Sequence, residues 1–196
     1  MVSNPGVRGL IYIFLLVFVA CGSLRYSQIA PEAKNFHPKR IGALPVSALP
    51  YGEAKGSVDR VVVDVLLHKK WFESVIGGEA IDRQTKENVE LAGMLFGYLA
   101  KFRAVNYSDP GLSRQIGRIC NVDALLVTDV DYWNYTVIND DKVARVGLTM
   151  KLVETSTGIV MWNATHSITK TYWFFKPDLA DVAHTLVQQM VKKMPY

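Results

Sequence analysis

Cysteine is nearly missing from this chain: two residues in 196, Cys21 and Cys120. A disulfide-stapled fold is therefore excluded. Also lacking is any run of Lys or Arg. The 22 basic and 18 acidic residues give a net charge of only +4, which argues against nucleic acid as a partner. There is no phosphate loop, no G-x-S-x-G and no H-E-x-x-H, so the usual marks of nucleotide hydrolysis, serine hydrolysis and zinc peptidase chemistry are missing. The four histidines, His37, His68, His166 and His184, are scattered without metal-ligand spacing. No cofactor, metal or small-molecule substrate is expected, and no internal repeat or second domain is found.

What is present begins at the amino terminus. Met1 to Gly9 is polar with Arg8 its one charge, and Leu10 to Ala20 is an uncharged apolar run of eleven residues. That suits the apolar region of a secretory signal and falls short of the about 20 residues that span a bilayer. The sequence turns polar at Gly22, Ser23 and Arg25. Val19-Ala20-Cys21-Gly22 resembles a bacterial lipobox, with Phe18 where Leu, Val or Ile is usual. Residues 1–20 are read as a signal peptide and Cys21 as the lipidated first residue. The alternative is an uncleaved anchor or a buried helix. Cleavage would remove Arg8 alone among charged residues, leaving 21 basic against 18 acidic, or +3, in 176 residues. That length suffices for one domain with a core. Cys120, in Leu112-x-x-x-Ile116-x-x-Ile119-Cys120, reads as a buried packing residue rather than a reactive thiol.

Residues 21–39, with Pro31 and Pro38, have no sustained period and read as a tether. Residues 40–196 read as one α/β domain. Arg40–Val46 is a short buried strand. Val58, Val61, Val62, Val65 and Leu66 mark one helical face. Trp71–Ile76 is a second strand, stopped by Gly77-Gly78. Residues 79–104 are helical, in one piece or two. Val89, Ala92, Phe96, Leu99 and Phe102 follow the helical period, and Leu91, Met94, Leu95 and Tyr98 widen the apolar arc, so this segment is buried or meets a partner. Asp109-Pro110 opens another helix.

The last third is the most regular. Ala124–Val127 is continuously apolar, as a strand buried on both faces would be. Two runs of period two follow, Ala144–Leu152 and Val160–Ile168, with turns at Asn139–Lys142 and Thr155–Gly158. They predict an antiparallel three-strand meander. A stripe from Leu179 to Met194 predicts a C-terminal helix. The expected architecture is a single mixed β-sheet with helices packed on it, in the order β-α-β-α-α-β-β-β-α.

Few residues suggest chemistry. His166 falls on the apolar side of its strand, and Asp129 and Asp131, two apart, share a strand face. Together they could form a hydrolase site. Otherwise His166 is a hydrogen-bonded core residue and the aspartates a solvated strand end. Aromatic side chains are more conspicuous: Tyr132, Trp133 and Tyr135 near the end of one strand, and Tyr172, Trp173, Phe174 and Phe175 at the end of the last. Alternation sends each group to both faces of the sheet. Either all are core under a helix, or Tyr132, Trp133, Tyr135, Trp173, Phe174 and Phe175 include an exposed partner-contact patch.

Three stretches, "IGALPV", "VDALLVTDVDYWNYTVI" and "VGLTMKLVETSTGIVMW", resemble bacterial lipoproteins related to the curli-secretion lipoprotein, the TolB amino-terminal domain and the penicillin-binding-protein activators. The likeness is greatest to a neisserial-type surface lipoprotein family of unassigned role. The hairpin motif corresponds to Leu152–Trp162, where Gly158 permits the turn and Trp162 packs the strand. The resemblance implies an α/β domain without enzyme activity that assembles with itself or with envelope proteins. A regulator docking on a peptidoglycan synthase or transporter is the alternative of the same class. The expected location is the cell envelope, anchored through Cys21 to the membrane. Gly22 lacks the acidic side chain that favours inner-membrane retention, which points to the outer membrane, facing the periplasm.

Overall fold

The computed structural model describes residues 25–196; the signal segment and Cys21 lie outside the described residues. A six-stranded mixed sheet forms the middle layer. Its strands are β1 (Tyr26–Ile29), β2 (Arg40–Ala43), β3 (Ser74–Ile76), β4 (Ala124–Ile138), β5 (Asp141–Glu154) and β6 (Val160–Thr171), in the spatial order β1-β6-β5-β4-β2-β3. β2 runs parallel to β3 and β4, while β4, β5 and β6 form the antiparallel meander. The helices are α1 (Lys55–Lys69), α2 (Gly78–Glu87), α3 (Val89–Val105), α4 (Pro110–Ile119) and α5 (Leu179–Val191).

The helices divide between the two faces. Ala124 and Leu126 of β4, with Val146, Leu148 and Met150 of β5, pack under α1 and α5. Leu125 and Val127, with Val153, pack under α2, α3 and α4. The continuous apolar run Ala124–Val127 follows from this arrangement: successive side chains enter opposite cores. Trp162, fully buried, anchors the α1/α5 core.

Asp123 ties the strands in register. Its Oδ2 accepts from the backbone N–H groups of Lys39 (3.0 Å) and Arg40 (2.9 Å), and its Oδ1 pairs with the Arg40 guanidinium at 2.7 Å. Burial opposes ionisation of Asp123, but these bonds outweigh it and hold the carboxyl below its ordinary value. Gly158 closes the β5–β6 turn at φ +73, and a Cβ there would stand 2.9 Å from the Pro110 Cα. The turn thus needs glycine both for its backbone conformation and for its contact with α4.

Three expectations require correction. Residues 26–36, read as tether, belong to the fold. β1 pairs antiparallel with β6, and a 3-10 turn over Pro31–Asn35 buries Ala33 and leads into buried Phe36. Ser27 Oγ accepts from Trp162 Nε1 at 3.1 Å. A four-residue edge strand whose side chains are all exposed carries no periodic signal, and its place was hidden because backbone pairing, not burial, holds it. The strands at the parallel edge are also shorter than read, ending at Ala43 and starting at Ser74. Trp71 instead stacks on Tyr196 at 4.0 Å. Finally, β6 stops at Thr171, so Trp173, Phe174 and Phe175 are not strand residues.

Candidate functional site

The hydrolase grouping does not form. Asp129 Oδ1 accepts from Nε of Arg103, on α3, at 2.8 Å. Asp131 Oδ2 accepts from Thr149 Oγ1 at 2.9 Å, and that hydroxyl reaches Thr165 Oγ1 at 3.0 Å. Burial is the main cause that raises the Asp131 carboxyl above its ordinary value, against the opposing bond from Thr149. Both carboxylates lie on one side of the sheet, the side of α3; their spacing predicted the shared face but not which side it is. His166 lies on the other side. Its Nδ1 accepts from the Arg25 backbone N–H at 3.3 Å, and its Nε2 meets Gln189 Oε1, on α5, at 3.2 Å. The accepting Nδ1 leaves Nε2 as the donor, so His166 is a satisfied structural residue that links the incoming chain to α5. A sheet separates it from the aspartates, which rules out their acting together.

Cys120 is buried, and burial pushes its thiol above the ordinary value. Among the described residues, no group of three His, Cys, Asp or Glu is placed to hold a metal ion. A hollow of about 430 Å³ lies between α1 and α2. Its wall mixes Asp59, Asp64 and Glu79 with Arg60 and Arg83, so neither charge sign prevails. Asp59 is occupied, accepting from the Val46 N–H at 3.0 Å.

The aromatic candidates separate into distinct environments. Trp133 is 7% exposed and belongs to the α1/α5 core, so it is unavailable as a partner contact. Strict period two would send it to the side opposite Val130, but the register shift between Val130 and Tyr132 brings it onto the same side. Tyr132 is half-buried on the other face, its ring above Gly147 and 3.4 Å from the Arg145 guanidinium. Tyr135 is partly exposed and donates its hydroxyl to the Pro177 carbonyl at 2.8 Å.

Trp173, Phe174 and Phe175 are 80%, 92% and 91% exposed. The cause is local. The Tyr172 N–H makes a last bond to the Lys142 carbonyl (3.0 Å), and its ring packs edge-on against Tyr135. Asp178 then caps α5, accepting from the Ala180 N–H at 2.8 Å. The residues between these two fixed points bulge outward. The two-faced alternation expected for them fails because no strand continues through them. Trp173 and Phe174, with Tyr135 and Val137, border a hollow of about 450 Å³ that is also lined by Lys142 and Lys176.

A second exposed apolar surface lies on α3. Leu91, Leu95, Tyr98 and Phe102 face the core, rather than the Val89, Ala92, Phe96, Leu99 and Phe102 face that the spacing suggested. Val89 and Phe96 point outward, 85% and 79% exposed. Gly93, Gly97 and Ala100 share their stripe and are exposed. A Cβ at Gly93 or Gly97 would meet nothing within 4 Å. The outer stripe is thus apolar, with a low backbone between two large side chains. Asn88 fixes its start by accepting from the Leu91 N–H at 3.0 Å. The glycine pair, four residues apart, was the sequence signal for this face, but it is masked by the apolar residues around it.

No protein-family model matches the chain, and no curated protein sequence matches it. Solved structures do. The PelC dodecamer from Paraburkholderia phytofirmans superposes with a TM-score of 0.56 at 18% identity, over 89% of this chain and 97% of that one. Lipoprotein GNA1162 from Neisseria meningitidis gives a TM-score of 0.55 at 18% identity, over 80% of this chain and 100% of that one. At these identities the likeness establishes a shared fold.

Proposed function

We propose that this chain is a non-enzymatic, lipid-anchored protein of the bacterial cell envelope that works by assembling with copies of itself. The observation that carries the reading is the outer stripe of α3. Val89 and Phe96 are large apolar side chains with no core to enter, and Gly93, Gly97 and Ala100 leave room beside them for a second rigid surface. Chains of the same fold include one described as a dodecamer and one described as a lipoprotein, which supports both parts of the proposal. The anchor would be Cys21, at the end of the Leu10–Ala20 run, and the location the outer membrane, facing the periplasm.

The test has two arms. Mass spectrometry of the protein made in a bacterial host should find lipid on Cys21, and Cys21→Ser should accumulate as the longer precursor. An unmodified Cys21 would remove the anchor. Crosslinking in intact envelopes should then capture a ladder of this chain alone, weakened by Phe96→Ala. Capture of one different envelope protein through the same face, a peptidoglycan synthase or transporter among them, would replace self-assembly by docking.

A further inference from the structure

We infer that the Trp173-Phe174-Phe175 loop is a second membrane contact that enters the bilayer beside the lipid anchor. The inference rests on the reading that Cys21 is lipidated. Its structural ground is the direction in which β1 runs along β6. β1 runs antiparallel to β6, with Tyr26 opposite Thr165 and Ile29 opposite Trp162. Moving back along β1 towards the amino terminus therefore means moving along β6 towards Thr171 and the aromatic loop. Arg25 is pinned beside His166 by its backbone N–H. From there to Thr171 is five strand residues, roughly 17 Å at strand rise. Cys21 lies four residues before Arg25, and a chain reaches at most about 3.6 Å per residue. Cys21 can therefore lie no more than about 14 Å from Arg25, a reach that extends towards the end of the molecule from which the loop projects.

The side chains suit that surroundings. Tryptophan favours the membrane interface, and phenylalanine the acyl region below it. Three consecutive side chains diverge in any backbone conformation. A fluid bilayer closes around each of them, whereas a single groove on a rigid protein would receive one or two. The exposed apolar residues Val137 and Ile138, at the β4–β5 tip, extend the same end of the molecule. The loop is also held ready: Tyr135 bonds the Pro177 carbonyl, Lys176 Nζ sits 4.9 Å from the centre of the Tyr135 ring, and Tyr172 closes the other side. Charge contributes little. Lys142, Lys170 and Lys176 are offset by Asp140 and Asp141 at the tip and by Asp178 at the start of α5, so the contact should survive high salt.

The experiment uses the full protein as isolated from the envelope, reconstituted in phosphatidylcholine vesicles with brominated acyl chains. Trp173→Phe is the reference, leaving Trp71, Trp133 and Trp162. The wild-type protein should lose a tryptophan emission component that Trp173→Phe lacks, and that component should resist quenching by aqueous iodide, with or without high salt. If Cys21 carries lipid and the vesicles bind, yet Trp173 is quenched by iodide and not by bromine, the inference fails while the anchor stands. If Trp173 is already shielded from iodide in detergent without vesicles, another copy or partner covers the loop, and the inference fails. If Cys21 proves unmodified, added vesicles decide: bromine quenching of Trp173 would sustain the loop contact alone, and its absence would overturn it.

Discussion

The α3 stripe and the aromatic loop are both apolar and both exposed, yet they are built in opposite ways. On α3, two large side chains flank exposed glycines on a helix whose other face is locked into the core. In the loop, three rings follow one another outside any regular element. The first is a rigid relief that another rigid surface can match. The second has no single face to match and suits a medium that conforms to it. Apolar exposure alone therefore does not name a partner; the backbone beneath the exposed side chains does.

The comparison depends on both surfaces being mounted on one well-packed frame, and the largest effect should come from breaking that frame. Trp162 is fully buried and bonds Ser27. Trp162→Ala should cost about 3–5 kcal/mol, as large core truncations do, read by denaturant titration. A cost below about 1 kcal/mol would place the ring outside the core. Changes on the two exposed surfaces should behave otherwise. Phe96→Ala should weaken self-association by about 2 kcal/mol or more if Phe96 is an anchor of the contact. Its effect on the melting of the monomer should stay within about 0.5 kcal/mol. Equal loss of both would mean that α3 is a fold element and nothing more.

A smaller effect tests how firmly α3 is seated. Tyr98 is fully buried and its hydroxyl lies 3.0 Å from Ser108 Oγ. Burial pushes its phenol up to about 12. The unfolded chain ionises this group near pH 10, so the folded state gives up stability as the pH rises between about 10 and about 12. Below that window the contribution is fully present. Tyr98→Phe should cost about 1 kcal/mol at neutral pH through the lost hydrogen bond. It should also show a flatter decline than wild type across the alkaline window. Parallel declines would mean that Tyr98 is not the group responsible.

Much of the frame was legible because burial imposes period. The meander, α5 and the two-sided burial of Ala124–Val127 all write their surroundings into the spacing of apolar residues. β1 was not legible, since an exposed edge strand is specified by backbone pairing and its side chains carry no pattern. The functional surfaces were half legible. Phe96 and the run Trp173–Phe175 could be marked as surplus apolar content. What covered the others could not be read: Trp133 is core only because the strand slips register beside Asp131, and the face of α3 that packs is settled by neighbours distant in sequence. His166 and the two aspartates show the same limit. Periodicity assigns a residue to one side of its own strand, and only the assembled sheet decides which side of the molecule that is.

The most direct test of the assembly claim uses the two exposed glycines of α3. In the isolated chain Gly93 and Gly97 have open space where a Cβ would stand. Gly→Ala in a helix interior favours folding by about 0.5–1 kcal/mol per site. In an assembly that brings another surface against the stripe, the same methyl groups intrude. Sedimentation and thermal melting of the purified full-length protein in detergent, wild type against Gly93→Ala/Gly97→Ala, should therefore show opposite changes: a shift from multimer towards monomer in the first and a higher melting temperature of the folded chain in the second. A double variant that is stabilised yet keeps the wild-type stoichiometry, or a wild type that is monomeric at every concentration, would contradict self-assembly through α3.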